Sequence, residues 1–106
     1  MSVKDFGSLL KQAQEMQSKM AEVQRDLAEK KVEVSTGGGM VKIVANGVNE
    51  IVSVHIDDEL INMNDREVLE DLITGAINEV HRKVKELAQE EMTRFTGGIK
   101  IPGLFP

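Results

Sequence analysis

The sequence contains no cysteine, tryptophan or tyrosine, and only two prolines and three phenylalanines among 106 residues. Without cysteine the chain has no disulfides, no thiolate metal ligands and no cysteine nucleophile. No apolar run approaches the length of about 18 residues that a membrane-spanning helix needs. The first residues also lack the charged start, apolar run and cleavage site of a signal peptide. We therefore expect a soluble, cytoplasmic protein.

The composition is that of one small folded domain. Apolar residues make up 41% of the chain, which is too many for a disordered protein, and the core must be built from Val, Ile, Leu and Met. Acidic residues outnumber basic ones by 18 to 13, giving a formal net charge of −5. That acidic balance argues mildly against nucleic acid as a partner.

The N-terminal quarter of the chain, from about Val3 to Ala28, has the pattern of a long amphipathic helix. Its apolar residues recur at alternating steps of three and four, a heptad pattern that leaves a narrow apolar seam. A narrow seam favours a partner helix, so we predict that it mediates helix pairing or dimerisation. The seam consists of Phe6, Leu9, Ala13, Met16, Met20, Val23 and Leu27.

From residue 31 onward the apolar residues recur at every second position, which indicates β-strands. Residues 31–36 alternate, three glycines follow, and a second apolar strand runs from Met40 to Ala45. Asn46-Gly47 predicts a type I′ hairpin turn, because both central positions of that turn need positive φ. A third strand is expected from Val48 to Ile56. One face of that strand is predicted to carry Val48, Val52, Val54 and Ile56.

A second long helix is expected from about Asp65 to Arg94. Asn64 and Glu67 have the spacing of a capping box at its start. The first half of the helix is broadly apolar and can cover the sheet, whereas the second half narrows and resembles a projecting arm. The predicted fold is α+β, with a single α-β-β-β-α domain over residues 1–96. Residues 97–106 have no periodicity and are expected to form a mobile tail.

No cluster of residues indicates catalysis, a metal or a cofactor. Asp57-Asp58-Glu59 lacks the spacing of a calcium loop, and Gly37-Gly38-Gly39 lacks the Lys-Ser/Thr ending of a phosphate-binding loop. His55 and His81 are isolated from other ligand or triad residues. We therefore predict that the protein is not an enzyme, with no catalytic residues, no metal site and no small-molecule substrate.

The basic residues of the two helices have two interpretations. If the helices pair antiparallel, six of them gather at the tip of a projecting arm and can contact DNA phosphates. Alternatively they belong to solvated helices with ion pairs at i,i+4, such as Glu79–Lys83 and Arg82–Glu86, and spacing alone favours this second interpretation. The six candidates for DNA binding are Lys4, Lys11, Arg82, Lys83, Lys85 and Arg94.

Taken together, short motifs along the whole chain resemble the YbaB/EbfC family of bacterial nucleoid-associated proteins. The resemblance implies an α-β-β-β-α subunit that forms a tight, tweezer-like homodimer and binds double-stranded DNA with little sequence preference. The motifs are Leu9–Gln17, Gly38–Ile43, Asn46-Gly47, Val54–Asp57, Leu69–Ile73, Ala76–Asn78 and the tail run from Gly97 to Gly103.

The resemblance also implies a location at the nucleoid, and the family's gene neighbourhood hints at repair or replication partners. A protein-binding adaptor for repair, recombination or replication factors is therefore the alternative function. The feature that favours it is the apolar tail with Ile99, Ile101, Leu104 and Phe105.

Overall fold

A computed structural model describes the backbone of residues 3–95 and the side chains of residues 5–95. The Lys4 side chain and the tail at 97–106, which sequence analysis expected to be mobile, lie outside these described residues. The elements follow the predicted α+β order of long helix, three-stranded meander and long helix. They are α1 (Val3–Glu29), β1 (Lys31–Thr36), β2 (Val41–Asn46), β3 (Ile51–Ile56), α2 (Asp58–Asn62) and α3 (Arg66–Phe95). The short α2 lies between β3 and α3 and was not among the predicted elements.

The sheet is antiparallel in the order β1-β2-β3, and one of its faces is covered by α3. The register places Ile43 opposite both Val34 and Val54, so these three residues share a face. The Thr36 hydroxyl donates to the Leu72 carbonyl oxygen at 2.7 Å and ties β1 to α3. The core cluster contains Val34, Val41, Ile43, Ala45, Leu60, Ala76, Val80 and Val84.

A β-bulge in β3 corrects the predicted third strand. Val44 pairs with Ser53 but the next residue, Ala45, pairs with Ile51, so Val52 is the extra residue. The strand begins at Ile51, and Val48 belongs to the preceding turn. The predicted alternation from Val48 to Ile56 is therefore wrong, because a bulge breaks the period of two.

The turn between β2 and β3 also differs from the predicted type I′ hairpin. Asn46 N–H donates to the Glu50 carbonyl at 2.9 Å, and Asn49 adopts a φ of 66°. The Asn46 side-chain oxygen accepts from the N–H groups of Val48 and Glu50 at 3.1 and 3.0 Å. The residue of this turn that adopts a left-handed backbone conformation is therefore Asn49. Hydrogen bonds to the Asn46 side chain stabilise the turn, and the Asn-Gly pattern does not predict them.

The start of α3 is capped one residue later than predicted. Asp65 Oδ1 accepts from the Val68 N–H at 3.2 Å, whereas Asn64 sits just before the helix with a φ of 53°. A carboxylate at this position satisfies an otherwise unpaired helix donor and complements the positive end of the helix dipole. The helix itself, from Arg66 to Phe95, agrees with the predicted boundaries within one residue.

The buried side chains of the described part of α1 lie in its C-terminal third. Val23 and Leu27 are buried, whereas every described side chain from Asp5 to Lys19 is exposed. We call the segment Asp5–Lys19 the arm. The molecule is accordingly elongated, with principal extents of 72 × 23 × 19 Å. None of the helices described by the structure combines the length and apolar character required to cross a membrane.

Candidate nucleic-acid interface

The helices α1 and α3 lie antiparallel, which is the arrangement that the predicted gathering of basic residues at an arm tip requires. Lys30, just after α1, pairs with Glu91, and the Lys19 ammonium lies 5.9 Å from the centre of the Phe95 ring. Residues nearer the N-terminus of α1 therefore lie beside residues nearer the C-terminus of α3. Because the described end of α3 is already level with Lys19, the arm extends beyond it, and α3 does not accompany α1 over the described length of the arm.

Three of the six predicted cations consequently lie beside the sheet and not at an arm tip. Arg82, Lys83 and Lys85 flank Val84, whose side chain belongs to the core. The Lys83 ammonium donates to the Glu33 carbonyl of β1 at 3.2 Å. The expected gathering of these three residues with the start of α1 is therefore wrong, because the part of α3 that carries them still covers the sheet.

Arg82 is held by two carboxylates on its own helix. Its guanidinium donates to Glu79, through Nε at 3.1 Å, and to Glu86. The hydrogen bond from Arg82 lowers the pKa of the Glu79 carboxyl, and the same contact raises the pKa of Arg82. The expected Arg82–Glu86 pair is present, whereas Glu79 pairs with Arg82 and not, as expected, with Lys83.

Arg94 belongs to a second ionic cluster, at the junction of α1 and α3. Its Nη1 lies 3.3 Å from Glu91 Oε1, and the same carboxylate accepts from Lys30. Glu91 is only 4% exposed, the one buried charged residue in the described part of the chain. The hydrogen bond from Lys30, with further attraction from Arg94 and Lys30, holds the Glu91 pKa below its ordinary value.

The remaining predicted cations are available to an external anion. Within residues 5–95, Lys11 and Lys85 are exposed and engage in no ion pair or side-chain hydrogen bond. Lys11 lies on the arm and Lys85 on the body, so the structure does not bring them together. The Lys4 side chain lies outside the described ones.

Sequence reasoning missed one further cation on α1. Arg25 is exposed, has no ion pair in the described region, and follows Lys11 by two heptads. At about 100° per residue, two heptads bring a side chain back to within roughly 40° of the same helix face. The heptad spacing of Lys4, Lys11 and Arg25 is a signal that could have identified this basic stripe.

Among residues 5–95 of the single chain, two groups of apolar side chains remain uncovered. The first is the seam of the arm, where Phe6, Leu9 and Met16 are 63%, 50% and 53% exposed. The second, which we call the edge patch, comprises exposed apolar side chains of the edge strand β3 and of the α2 segment that follows it in the chain. The edge patch consists of Ile51, Val52, Val54, Ile61 and Met63, each about half exposed. Exposed apolar surfaces of this kind mark protein–protein contacts.

Comparison with known proteins establishes the family. The model of the YbaB/EbfC DNA-binding family matches residues 1–99. A nucleoid-associated protein of Desulfotalea psychrophila is 46% identical over 100 residues, covering 94% of each chain. One from Thermoanaerobacter pseudethanolicus is 45% identical over 101 residues, covering 95% of this chain and 91% of its own. The chain therefore belongs to the YbaB/EbfC DNA-binding family, which confirms the resemblance drawn from its motifs.

A solved structure confirms the fold. An uncharacterized protein of Helicobacter pylori matches 91% of this chain and 98% of its own length, with a TM-score of 0.74 and 25% sequence identity. Because this match spans nearly all of both chains, the long helices and the three-stranded sheet form one shared architecture. The α+β assignment thus rests on both the described elements and an experimental neighbour.

Proposed function

We propose that the protein binds double-stranded DNA without sequence preference, as a non-catalytic component of the bacterial nucleoid. The observation that carries this proposal is the exposed arm, whose Lys11 is unpaired among the described residues and shares a helix face with Arg25. Such cations neutralise phosphates and carry no sequence information by themselves. Membership of a DNA-binding family and the nucleoid-associated relatives support the same conclusion.

The charge distribution limits which surfaces can contact DNA. The whole chain carries a net charge of −5, so most of its surface repels a polyanion. Arg82 and Arg94 are already paired with carboxylates and would need to exchange them for phosphates. We therefore assign the main phosphate contacts to Lys11 and Lys85 among the six predicted residues, with Arg25 added to them.

We further propose that the functional unit is a homodimer. The arm seam and the edge patch leave large apolar side chains in water, and a second copy of the chain can cover both. Dimerisation also doubles the number of arms, so that several weak phosphate contacts act together on one duplex. Each phosphate contact then contributes only modestly to the affinity of the dimer for DNA. The overall affinity depends strongly on salt concentration.

The proposal is tested by fluorescence anisotropy with two labelled duplexes of equal length and unrelated sequence. We expect Kd values for the two duplexes that agree within about twofold, since phosphate contacts do not distinguish base pairs. A large preference for one duplex would contradict sequence-independent binding. Absence of binding to either duplex would overturn the DNA proposal and favour the adaptor for repair or replication proteins.

A further inference from the structure

The ionic cluster around Glu91 lies where the arm joins the body of the molecule. Glu91 lines a groove of about 280 Å³ between α1 and α3, which also contains Val23 and Phe95. Its carboxylate accepts from Lys30 and contacts Arg94. Glu22 and Asp26 of α1 line the same groove. The buried Glu91 carboxylate is tolerated beside them because Lys30 and Arg94 neutralise its charge.

We propose that Glu91 is a positioning residue that fixes the direction of the arm relative to the sheet and thereby the placement of its DNA contacts. This inference rests on the proposed DNA binding for its functional consequence. Its structural part, the fixing of the arm, stands separately and can be measured without DNA.

Within one chain, few buried contacts hold the arm. Val23 and Leu27 are the buried side chains of α1, and both belong to its C-terminal third. They lie outside the residues that form the main core cluster beneath α3. The contact between the two helices is thus a small separate one, in which a paired buried charge is a large part of the interaction.

A small rotation of α1 at this junction produces a large displacement at the end of the arm. From Val3 to Lys19 the helix rises about 25 Å at 1.5 Å per residue. A rotation of roughly 10° at the junction therefore displaces the start of α1 by about 4 Å, comparable with the length of an ion-pair contact. Cations near the end of the arm keep their register on a duplex only if the junction is rigid.

The net charge and the proposed positioning role predict opposite effects of Glu91→Gln on DNA affinity. Glu91→Gln makes the chain one unit more positive and releases Lys30 and Arg94 from their carboxylate. If DNA binding depended only on available positive charge, this variant would bind more tightly. If Glu91 positions the arm, the same variant binds less tightly in spite of its added charge.

The matched control is Glu90→Gln, which changes the charge equally at an adjacent, exposed position of α3. Because the chain has no cysteine, Ser8→Cys with Ser35→Cys provides a unique label pair that joins the arm to β1. Double electron–electron resonance on labelled chains, diluted with excess unlabelled protein, measures the distance distribution within one chain.

We expect Glu91→Gln to broaden this distribution at least about twofold and to weaken duplex binding by about threefold to tenfold, as misoriented arms lose effective concentration. Glu90→Gln should leave the distribution unchanged. An unchanged distribution in Glu91→Gln, or tighter binding equal to that of Glu90→Gln, would overturn the proposal.

The exchange Lys30→Glu with Glu91→Lys, made together with Arg94→Gln so that no second cation repels the introduced ammonium, restores opposite charges at positions 30 and 91. It should return the distribution towards that of the wild type, including the case in which Glu91→Gln alone fails to fold. A broad distribution in the exchanged protein would contradict the positioning role. If wild-type protein shows a narrow distribution but no DNA binding, the DNA proposal fails while the structural part is retained.

Discussion

The backbone N–H of Gly47 donates to the carbonyl oxygen of Leu27 at 2.8 Å, so the turn between β2 and β3 caps the end of α1. The same N–H lies 3.0 Å from the Lys30 carbonyl oxygen. The last carbonyls of a helix have no partner within it, and here the sheet supplies one. A Cβ atom on Gly47 would lie 2.4 Å from the Leu27 oxygen, so this close approach requires glycine.

Replacing Gly47 with alanine should therefore destabilise the protein by about 1–3 kcal/mol, because the obstacle is backbone and must move as a unit. Chemical denaturation followed by circular dichroism measures the change. The matched control is Gly7→Ala, which adds a methyl group where nothing lies within 4 Å. That control should stabilise α1 by up to about 1 kcal/mol. Equal effects of the two substitutions would contradict the role given to the Gly47–Leu27 contact.

Charge reversal of individual lysines tests which of the proposed surfaces contacts DNA. Lys11→Glu on the arm and Lys83→Glu with Lys85→Glu on α3 should each weaken duplex binding, about equally for all sequences. Lys42→Glu, on the exposed face of the sheet, should have a much smaller effect. Anisotropy titrations at one fixed salt concentration provide the comparison. A larger loss from Lys42→Glu than from the helix variants would place the binding surface on the sheet.

The proposed homodimer predicts a solution mass near twice the 11.7 kDa of the chain. Val54→Asp places a charge in the edge patch, where it should weaken association, since an unpaired charge in an apolar interface is costly. Ser53→Asp, the adjacent exposed residue paired with Val44, is the control and should leave the mass unchanged. Light scattering at micromolar concentration measures both, and a wild-type mass of one chain would refute the dimer.

The lowered Glu91 pKa predicts a specific pH dependence. A carboxyl group whose pKa is lower in the folded protein stabilises the fold above its unfolded pKa and loses that effect as pH falls through the folded pKa. The difference in unfolding free energy between wild type and Glu91→Gln should thus be constant near neutral pH. It should shrink as pH falls below 4.5, the ordinary value for this group. A difference independent of pH down to 3 would show that the Glu91 charge makes no net contribution.

Periodicity sufficed to identify the two long helices and the three strands, but not the short α2, the start of β3 or the turn before it. The heptad pattern from Phe6 to Leu27 and the alternation at 31–36 gave helix and strand correctly. The start of β3 was misplaced because a bulge at Val52 leaves no mark on a hydrophobic pattern. The turn was misjudged because Gly47 is required by the approach of Leu27, a contact between distant parts of the sequence.

The site was harder to predict than the fold, because it depends on where the second helix stops covering the sheet. Sequence spacing places Arg82 and Lys83 on the outer half of a long helix but does not reveal that Val84 is still part of the core. Nor does it show that Glu91, and not the adjacent Glu90, becomes buried. Both facts follow from helix packing in three dimensions.

The central claim, DNA binding by phosphate neutralisation, is tested most directly by the salt dependence of Kd for a duplex of random sequence. We predict that log Kd rises linearly with log salt concentration, with a slope of about 0.9 for each phosphate contact. Lys11→Glu should lower this slope by up to about 1.8 in a dimer, since each chain loses one contact. A Kd that does not change between about 50 and 200 mM salt would contradict the account.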